Sequence, residues 1–520
     1  MLTIKHITIK DVKNHTLLEN FSYSLGNNDK VGIIGEEGNG KSTLLKAIYN
    51  KNLIEDYAVM SGEIDTDFKH IGYFEQQLDP RWNNCLVYEY LLKNDVADDI
   101  EMEQYNELQY YETLCGSLHL QATLLQSNQT IATLSGGEKV KLQLLKLMAR
   151  NLDLLLLDEP TNDLDIHTLE WLEDFIQELN IPVLFISHDE VLLQHAANVI
   201  IHLEQLNKKT KSTVNIYRGS YDSYVEQRQL KRTKEVQIAR KEQMEYKKKK
   251  QQLNDIQNAV HDALNDCVRN PGQAALLAKK MKNIKAQEKR FDREGYSRVD
   301  SVEEAIEVSF EESKLPRDKV ILELDTEQFS INERLLVQKI QLSLRGRDKA
   351  VIIGDNGCGK SLLIKQIYDQ LKERTDIKLG YMPQTYTEFF HGSDTPITFL
   401  LEEGDRDDVT RSRELLGRMK FTRDEMEHSL LELSEGQKAK LYLLRFIKQG
   451  CNVLLLDEPT RNLSPLTNPA ICTLLKQFEG CILAVSHDRR FIAEVFEQCY
   501  EIRDQKWIHY VSGYCQQFHI

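Results

Sequence analysis

Gly35-Glu36-Glu37-Gly38-Asn39-Gly40-Lys41-Ser42 places glycines ahead of a lysine and a serine, and the same pattern returns as Gly354-Asp355-Asn356-Gly357-Cys358-Gly359-Lys360-Ser361. Each stretch follows a short apolar run and precedes residues with helical spacing, which predicts a strand, a loop and a helix. Glycines let backbone N–H groups approach a phosphate closely, and the lysine neutralises its charge. Because 319 positions separate Lys41 from Lys360, we predict two copies of one phosphate-binding domain.

Three further motifs follow each loop in the same order. The first set is Leu134-Ser135-Gly136-Gly137-Glu138, the pair Asp158-Glu159 after an apolar run, and His188; the second set is Leu433-Ser434-Glu435-Gly436-Gln437, Asp457-Glu458 and His487. The acidic pairs and the histidines each repeat at an interval of 299 positions. A single motif of this kind arises easily by chance, whereas two ordered sets predict two nucleotide-hydrolysing domains.

Phosphoryl transfer depends on positioning and charge neutralisation more than on covalent chemistry. We predict that carboxylates polarise the attacking water, histidines bond the γ-phosphate and glutamines sense metal and water; these catalytic candidates are Glu159, Glu458, His188, His487, Gln76 and Gln384. The candidates for holding Mg²⁺ are Ser42, Gln76, Asp158, Ser361, Gln384 and Asp457. The ATP-binding candidates are the two glycine loops with Thr43 and Leu362, together with Ser135, Gly136, Gly137, Ser434, Glu435 and Gly436.

The composition predicts a globular protein with two or three domains. The chain of 520 residues exceeds a single ordinary core, and its 41% of apolar residues suffice for packed cores. Its net charge of −15 argues against a protein that coats nucleic acid with its whole surface. The nine cysteines lack metal-ligand spacing and are typical of a reducing compartment, so we expect a cytoplasmic location. Since no apolar run approaches the roughly 18 residues that span a bilayer, we expect no membrane span.

The middle of the chain differs in charge from both flanking parts. Residues 221–293 carry 18 Lys or Arg against 10 Asp or Glu, a net charge of +8, whereas the rest of the chain carries −23. Apolar residues recur there at three and four positions on both sides of Pro271-Gly272, which is the pattern of two antiparallel helices. The alternative is a solvated spacer that only tethers two domains. We expect a basic helical hairpin whose tip residues include Asn265, Asp266, Val268 and Arg269.

The motifs together resemble the ATP-binding cassette superfamily, and this resemblance covers both ends of the chain. Its elements include a glutamine in the shared frame Gly-Tyr-x-x-Gln, which ends at Gln76 and at Gln384. Two cassettes joined by a charged helical linker resemble the ABC-F family of translation factors. Family-like residues also enter and leave the linker, as Tyr217-Arg-Gly-Ser-Tyr221-Asp-Ser-Tyr224 and Ala278-Lys-Lys-Met281-Lys.

The resemblance implies an α/β fold with two P-loop ABC-type ATPase domains joined by a long antiparallel α-helical hairpin. The expected boundaries are 1–220 for the first cassette, 221–316 for the basic linker and 317–520 for the second cassette. It also implies a monomer whose cassettes pair head to tail around ATP and Mg²⁺. The first site would pair Lys41 and Glu159 with Ser434 and Gly436; the second would pair Lys360 and Glu458 with Ser135 and Gly137.

The two halves differ in ways that predict unequal sites. The first has Asn162-Asp-Leu-Asp165 after Asp-Glu-Pro-Thr, whereas the second has Arg461-Asn-Leu-Ser464 and carries Glu435 in place of a glycine. Both variant elements are expected to face the first site. We therefore predict unequal hydrolysis rates, and equal residual turnover of the Glu159→Gln and Glu458→Gln variants would contradict this. The candidates for stacking on adenine are Phe329 in the second half and His15 in the first.

The resemblance also implies the partner, which is the ribosome. We expect the ATP-closed chain to bind near the tRNA exit site, with linker 221–293 reaching ribosomal RNA, the P-site tRNA and the peptidyl-transferase centre. Protection from lincosamides, pleuromutilins or streptogramins A is expected, with a housekeeping translation factor as an alternative. A second alternative is the ATP-binding subunit of an ABC transporter. DNA is not expected as a partner, because zinc-binding cysteine modules and coiled coils of hundreds of residues are absent from the sequence.

Overall fold

The computed structural model describes residues 1–162, 164–206, 211–266, 271–294, 308–310, 314–331, 334–386, 390, 394–402, 404–419, 421–461, 463–510, 513 and 515. The chain divides into a unit of Met1–Tyr221 with Glu303–Ile520 and a unit of Asp222–Val302. We call Met1–Tyr221 the first half and the residues from Glu303 onward the second half. At the predicted tip of the hairpin, Val268 and Arg269 lie outside the described residues, as do the side chains of Asn265 and Asp266.

The first half contains two sheets. A three-stranded antiparallel sheet has the order β2-β1-β4 and consists of β1 (Leu2–Asp11), β2 (Thr16–Leu25) and β4 (Ala58–Thr66). A six-stranded sheet has the order β5-β6-β7-β3-β8-β9 and consists of β3 (Lys30–Gly35), β5 (Ile71–Phe74), β6 (Leu154–Asp158), β7 (Val183–Ile186), β8 (Val199–Leu206) and β9 (Lys211–Arg218). Its strands are parallel except for the β8–β9 pair.

Helices connect the parallel strands of the first half. They are α1 (Lys41–Tyr49), α2 (Val87–Leu92), α3 (Glu107–Cys115), α4 (Gly136–Met148), α5 (Ile166–Glu178) and α6 (Glu190–Ala196). Every residue of β3, β6 and β7 is buried, as expected for parallel strands that are covered on both faces. The carboxyl ends of parallel strands meet at one edge of the sheet, so the loops that follow β3, β5, β6 and β7 are brought together there.

The unit of Asp222–Val302 is helical where it is described. Its helices are α7 (Tyr221–Asp266), of 46 residues, and α8 (Pro271–Glu294), of 24 residues. Val260 of α7 and Ile284 of α8 are buried, whereas Lys247, Lys248 and Lys249 are exposed. The prediction of a long helical insertion between two α/β cassettes is therefore confirmed.

The second half repeats the order of the first. Its eight-stranded sheet, β10-β11-β17-β16-β12-β15-β14-β13, consists of β10 (Val320–Ile331), β11 (Arg334–Arg345), β12 (Lys349–Gly354), β13 (Leu379–Met382), β14 (Val453–Asp457), β15 (Cys481–Val485), β16 (Gln498–Arg503) and β17 (Lys506–Tyr510). Its helices are α9 (Lys360–Leu371), α10 (Pro396–Leu400), α11 (Arg406–Arg418), α12 (Arg423–Glu427), α13 (Glu435–Lys448), α14 (Asn468–Lys476) and α15 (Arg489–Val495).

The parallel core of the second half, β13-β14-β15-β12-β16, has the same strand order as β5-β6-β7-β3-β8 of the first. The two halves also share apolar packing. Ile166, at the start of α5, belongs to a buried cluster whose other members come from the second half, including Leu463 and Phe491. The halves are thus held in contact by buried apolar surface outside the glycine loops. The exact limits predicted for the three domains remain a prediction.

Candidate active sites

Both glycine loops turn directly from a buried strand into the start of a helix. Gly38 and Gly40 have φ angles of 82° and 84°, and Gly357 and Gly359 have φ angles of 77° and 103°. Only glycine adopts such angles without strain. At Gly40, a Cβ would also lie 3.1 Å from the Cβ of Leu17. Glycine at these positions therefore leaves room for an anion at the N-terminus of the following helix. The free N–H groups there favour anions.

The loop lysines lie folded onto their own loops. Lys41 Nζ donates to the carbonyl oxygens of Gly35 and Glu36 at 2.8 and 2.9 Å. Lys360 Nζ donates to those of Gly354 and Asp355 at 2.7 and 2.8 Å. Burial lowers the pKa of Lys41, although the carboxylate of Glu159 opposes this. Each ammonium group is therefore placed within its loop, where a phosphate would satisfy its charge.

The predicted magnesium ligands form a serine–aspartate pair in each half. Ser42 Oγ donates to Asp158 Oδ1 at 2.9 Å, and Ser361 Oγ donates to Asp457 Oδ1 at 3.2 Å. Burial raises the pKa of both aspartates, that of Asp457 to about 6. Among the described residues no group of three or more His, Cys, Asp or Glu is arranged to hold a metal ion. The oxygen donors fit Mg²⁺ that completes its coordination with phosphate oxygens and water.

Glu159 follows Asp158 and is held by three side chains. Gln76 Nε2 and Asn162 Nδ2 donate to Glu159 Oε2 at 2.7 and 2.9 Å, and His188 Nε2 lies 3.3 Å from Oε1. Burial opposes ionisation, but His188, Lys41 and Asn162 outweigh it and lower the pKa of Glu159 to about 2. The carboxylate is therefore ionised and fixed in direction, as activation of a water molecule requires.

His188 also contacts the opposite half of the molecule. Its Nδ1 lies 3.0 Å from the carbonyl oxygen of Leu463, so the ring bridges Glu159 and the loop after β14. Because a carbonyl oxygen can only accept, Nδ1 is the donor in this contact. The position of the Glu159 side chain thus depends on how the second half packs against the first.

The second acidic pair has a different environment. His487 Nε2 lies 3.7 Å from Glu458 Oε1, and the His487 backbone N–H donates to Glu458 Oε2 at 3.3 Å. Both ring nitrogens of His487 are buried without a hydrogen-bond partner among the described residues. Burial raises the pKa of Glu458 to about 8 and lowers that of His487. Orphaned buried nitrogens next to a glycine loop fit a site that an anionic ligand completes.

A cavity of about 340 Å³ lies against the second glycine loop. Its described walls include Lys360, Ser361, Gln384, Glu458, Arg461 and His487 from the second half, and Thr161, Asn162, Leu164 and His188 from the first. The structure thus brings all the predicted catalytic and metal candidates of this half into one cavity, except for Asp457, which is bonded to Ser361.

The segments around Ser135–Gly137 and Ser434–Gly436 lie against different parts of the molecule. The Gly436 N–H lies 3.5 Å from Glu37 Oε2, and Lys440 Nζ lies 3.9 Å from Glu36 Oε1, so α13 of the second half begins against the first glycine loop. Ser135 and Gly137 line a separate cavity of about 540 Å³, whose described walls all come from residues 119–168. The structure therefore places Ser434 and Gly436 beside Glu36 and Glu37 of the first glycine loop, but it does not place Ser135 and Gly137 in the cavity of Lys360.

The remaining candidates are placed as follows. Asn39 Nδ2 donates to the Leu203 carbonyl at 3.0 Å, Thr43 is buried, and Leu362 and Cys358 lie at the second loop. Glu435 Oε1 pairs with Lys438 at 2.6 Å. His15 is exposed and pairs with Asp11 at 3.1 Å, whereas Phe329 is buried beside Gly359.

The variant segment that begins at Arg461 contacts both sites and not the first site alone. Ser464 and Leu463 line a small pocket with Glu36, Glu37 and Gly436, as expected. Arg461, however, lines the cavity of the second glycine loop. It lies in the turn that starts at Glu458, where its backbone N–H donates to the Glu458 carbonyl at 3.3 Å. The departures from symmetry are therefore divided between the two sites.

Sequence analysis missed two groups of residues. Tyr73 donates its hydroxyl to Asp158 Oδ2 at 2.9 Å, and its place in the shared Gly-Tyr-x-x-Gln frame was the available signal. The second group is a cluster of ion pairs between the halves. Arg489 Nη2 donates to Asp189 Oδ1 at 3.1 Å and also binds Glu173, while Arg490 binds Glu190.

Three members of this cluster are buried. Arg489 is 2% exposed, and Glu173 and Glu190 are each 4% exposed. His195 Nδ1 lies 2.7 Å from Glu173 Oε2 and completes the group. Since α6 and α15 follow His188 and His487 directly, the cluster fixes the helices that carry both histidine loops against each other.

The fold and the two sites define a protein with paired P-loop cassettes. A family model described as ABC transporter matches residues 18–162 and 337–461. The ATP-binding protein Uup of Buchnera aphidicola is 27% identical over 501 residues, which cover 94% of this chain and 78% of that protein. ABC transporter F family member 2 of Arabidopsis thaliana is 26% identical over 552 residues, which cover 97% and 77%. The chain therefore belongs to the ABC transporter family and is an ABC-F-type ATPase.

Solved structures show the same fold. A chain of ribosome-bound archaeal Pelota and ABCE1 superposes with a TM-score of 0.57 at 17% identity, covering 98% of this chain and 79% of that chain. The two matched cassette domains make the protein an ATP hydrolase. None of its described helices is long and apolar enough to cross a membrane.

Proposed function

We propose that this ATPase acts on the ribosome. Closed on ATP and Mg²⁺ in the cytoplasm, it binds near the tRNA exit site, and its basic insertion reaches toward ribosomal RNA, the P-site tRNA and the peptidyl-transferase centre. There it protects translation from lincosamide, pleuromutilin or streptogramin A antibiotics. Ribosomal RNA is the polyanion that a long basic helix inside an acidic protein would bind.

The observation that carries this proposal is the charge of the insertion. Residues 221–293 have a net charge of +8, while the remainder of the chain has −23. The 46 residues of α7 correspond to a helix about 70 Å long. Lys247, Lys248 and Lys249 are exposed near the middle of this helix. A ribosome-bound protein of the same fold, though at 17% identity, agrees with this choice of partner.

The geometry supports a division of labour among the site residues. Lys41 and Lys360 bind the β- and γ-phosphates, while Ser42 with Asp158 and Ser361 with Asp457 hold Mg²⁺, which neutralises phosphate charge when bound. Glu159 and Glu458 orient the attacking water, and His188 and His487 bond the γ-phosphate. Gln76 and Gln384 lie at the same edge of their sheets as these residues. They contribute both to holding Mg²⁺ and to orienting the attacking water.

ATP binding at these sites is coupled to the contact between the two halves. The Glu37 carboxylate lies at the Gly436 N–H, at the N-terminus of α13. A γ-phosphate bound at the first loop would replace this carboxylate as the anion at the helix N-terminus. Nucleotide thus binds both halves at once, and its hydrolysis releases them, which links ATP turnover to binding and release of the ribosome.

Expression in a susceptible bacterial host tests the proposal. We expect the wild-type chain to raise the inhibitory concentration of at least one drug that acts at the peptidyl-transferase centre. The Glu159→Gln/Glu458→Gln variant should not, because it cannot complete the cycle. A drug that acts on the small ribosomal subunit is the control. If no peptidyl-transferase inhibitor is affected, protection is wrong, and only the broader proposal of a role in translation stands.

The exposed lysines of α7 should carry part of the salt dependence of ribosome binding. We expect the triple substitution of Lys247, Lys248 and Lys249 by Gln to weaken binding, because fewer counterions are released from RNA. The slope of log affinity against log salt should become shallower by roughly 2–3, because each of the three lost phosphate contacts contributes roughly 0.7–0.9.

The matched control for the lysine variant replaces three exposed lysines of the first half, Lys5, Lys10 and Lys13, by Gln. Its net charge is the same, so it separates a local contact from the charge of the whole chain. An unchanged salt slope in the α7 variant, or an equal change in both, would contradict an RNA contact by this part of the helix.

A further inference from the structure

The turn after the catalytic glutamate has the same backbone in both halves but a different side chain. The N–H of Asn162 donates to the Glu159 carbonyl at 3.3 Å, and the N–H of Arg461 donates to the Glu458 carbonyl, also at 3.3 Å. In the first half the neutral amide of Asn162 holds Glu159 at 2.9 Å. In the second half the same position carries a cation.

Arg461 lies in the wall of the cavity formed at the second glycine loop. Its charge acts on the acidic pair, because it opposes the burial that raises the pKa of Glu458 to about 8. Among the described walls of this cavity, Lys360 and Arg461 are the lysine and arginine side chains. His487 also lines the cavity, but burial lowers its pKa, so it does not supply a third positive charge.

Guanidinium is the side-chain group best suited to phosphate oxygens. It is always charged, and its N–H donors form a planar fork that matches two oxygens of a phosphate. An arginine that reaches the transferred phosphoryl group stabilises the transition state strongly in other nucleotide hydrolases. In this protein the arginine comes from the same half as the glycine loop, whereas the first half has an asparagine at that position.

We propose that Arg461 is a catalytic residue of the second site, where it donates to the phosphate oxygens that gain negative charge during hydrolysis. In that step the water oxygen bonds to the γ-phosphorus, and the bond to the β,γ-bridging oxygen breaks with its electron pair going to ADP. A proton of the water is taken up by Glu458 in its ionised form, which the charge of Arg461 favours against burial. The first site lacks this charge at the matching position and relies on the fixed carboxylate of Glu159.

Turnover of the second site is measured alone in a Glu159→Gln background, without ribosomes. We expect Arg461→Asn, which restores the residue type of the first half, to lower kcat about a hundredfold while KM changes less than threefold. Arg461→Lys should retain part of the rate, because it keeps the charge but loses the planar fork. Arg503→Asn is the matched control, since Arg503 is exposed at the end of β16.

A second readout does not depend on turnover. A fluorescent ATP analogue reports ground-state binding, and fluorescent ADP with aluminium fluoride reports binding of a transition-state analogue. We expect Arg461→Asn to weaken only the latter, by about a hundredfold, and Arg461→Lys to weaken it less. A kcat within threefold of the background would overturn the assignment, as would equal weakening of both analogues, which indicates a merely structural role. If Arg461→Asn does not fold, Arg461→Lys decides between the same outcomes.

Discussion

The Glu159→Gln/Glu458→Gln variant is expected to lose ATP turnover by roughly 10²–10⁴-fold, the usual contribution of a positioned acid–base group. It should nevertheless bind ATP, because the glycine loops and their lysines are unchanged. The physical reason lies in Glu159, whose carboxylate accepts from Gln76 and Asn162 and lies beside His188. A glutamine keeps the shape but provides no negative charge to polarise water.

Phosphate release measures this turnover, and retention of labelled ATP after rapid filtration measures trapping. The matched control is Glu178→Gln/Glu497→Gln, which changes two exposed glutamates and leaves the net charge of the protein equal to that of the variant. Turnover above one third of the wild-type rate in the site variant would show that these carboxylates are not the groups that orient water.

Removal of the Arg489 side chain is expected to destabilise the protein strongly. Arg489→Ala leaves Glu173 and Asp189 without their cation in an interior where charge is poorly solvated. Breaking a buried ion pair in this way costs about 3–5 kcal/mol. The effect should appear as a lower free energy of unfolding in urea and as a lower Tm.

The control for Arg489→Ala is Arg503→Ala, because Arg503 is exposed and surface substitutions usually change stability by less than about 0.5 kcal/mol. A further Glu173→Gln substitution should recover part of the loss, since it removes one of the uncompensated charges. A loss below about 1 kcal/mol in Arg489→Ala would mean that water or another cation already screens this cluster.

The local parts of both sites could be predicted from the sequence. A glycine loop, an acidic pair after a buried strand and a histidine after the next strand each have short-range signals. Parallel strands then bring these segments to one edge, as observed for Lys41, Asp158 and His188. Buried strands such as Leu154–Asp158 could also be predicted from the sequence, because both faces of a parallel sheet require apolar residues.

The contacts between the halves could not be predicted in this way. His188 meets Leu463 across 275 positions of sequence, and Arg489 meets Glu173 across 316. Such pairs depend on how the two folded halves pack against each other, and no local sequence pattern encodes this packing. The same reason explains why Arg461 lines the cavity of the second glycine loop, and why Ser135 and Gly137 lie in a cavity apart from Lys360.

The most direct test is sedimentation of the Glu159→Gln/Glu458→Gln variant with purified 70S ribosomes, with ATP and without nucleotide. If paired ATP sites present a basic insertion to ribosomal RNA, the trapped variant should pellet with ribosomes in ATP and stay in the supernatant without it. A variant that retains labelled ATP but remains in the supernatant under both conditions would contradict the proposed action on the ribosome.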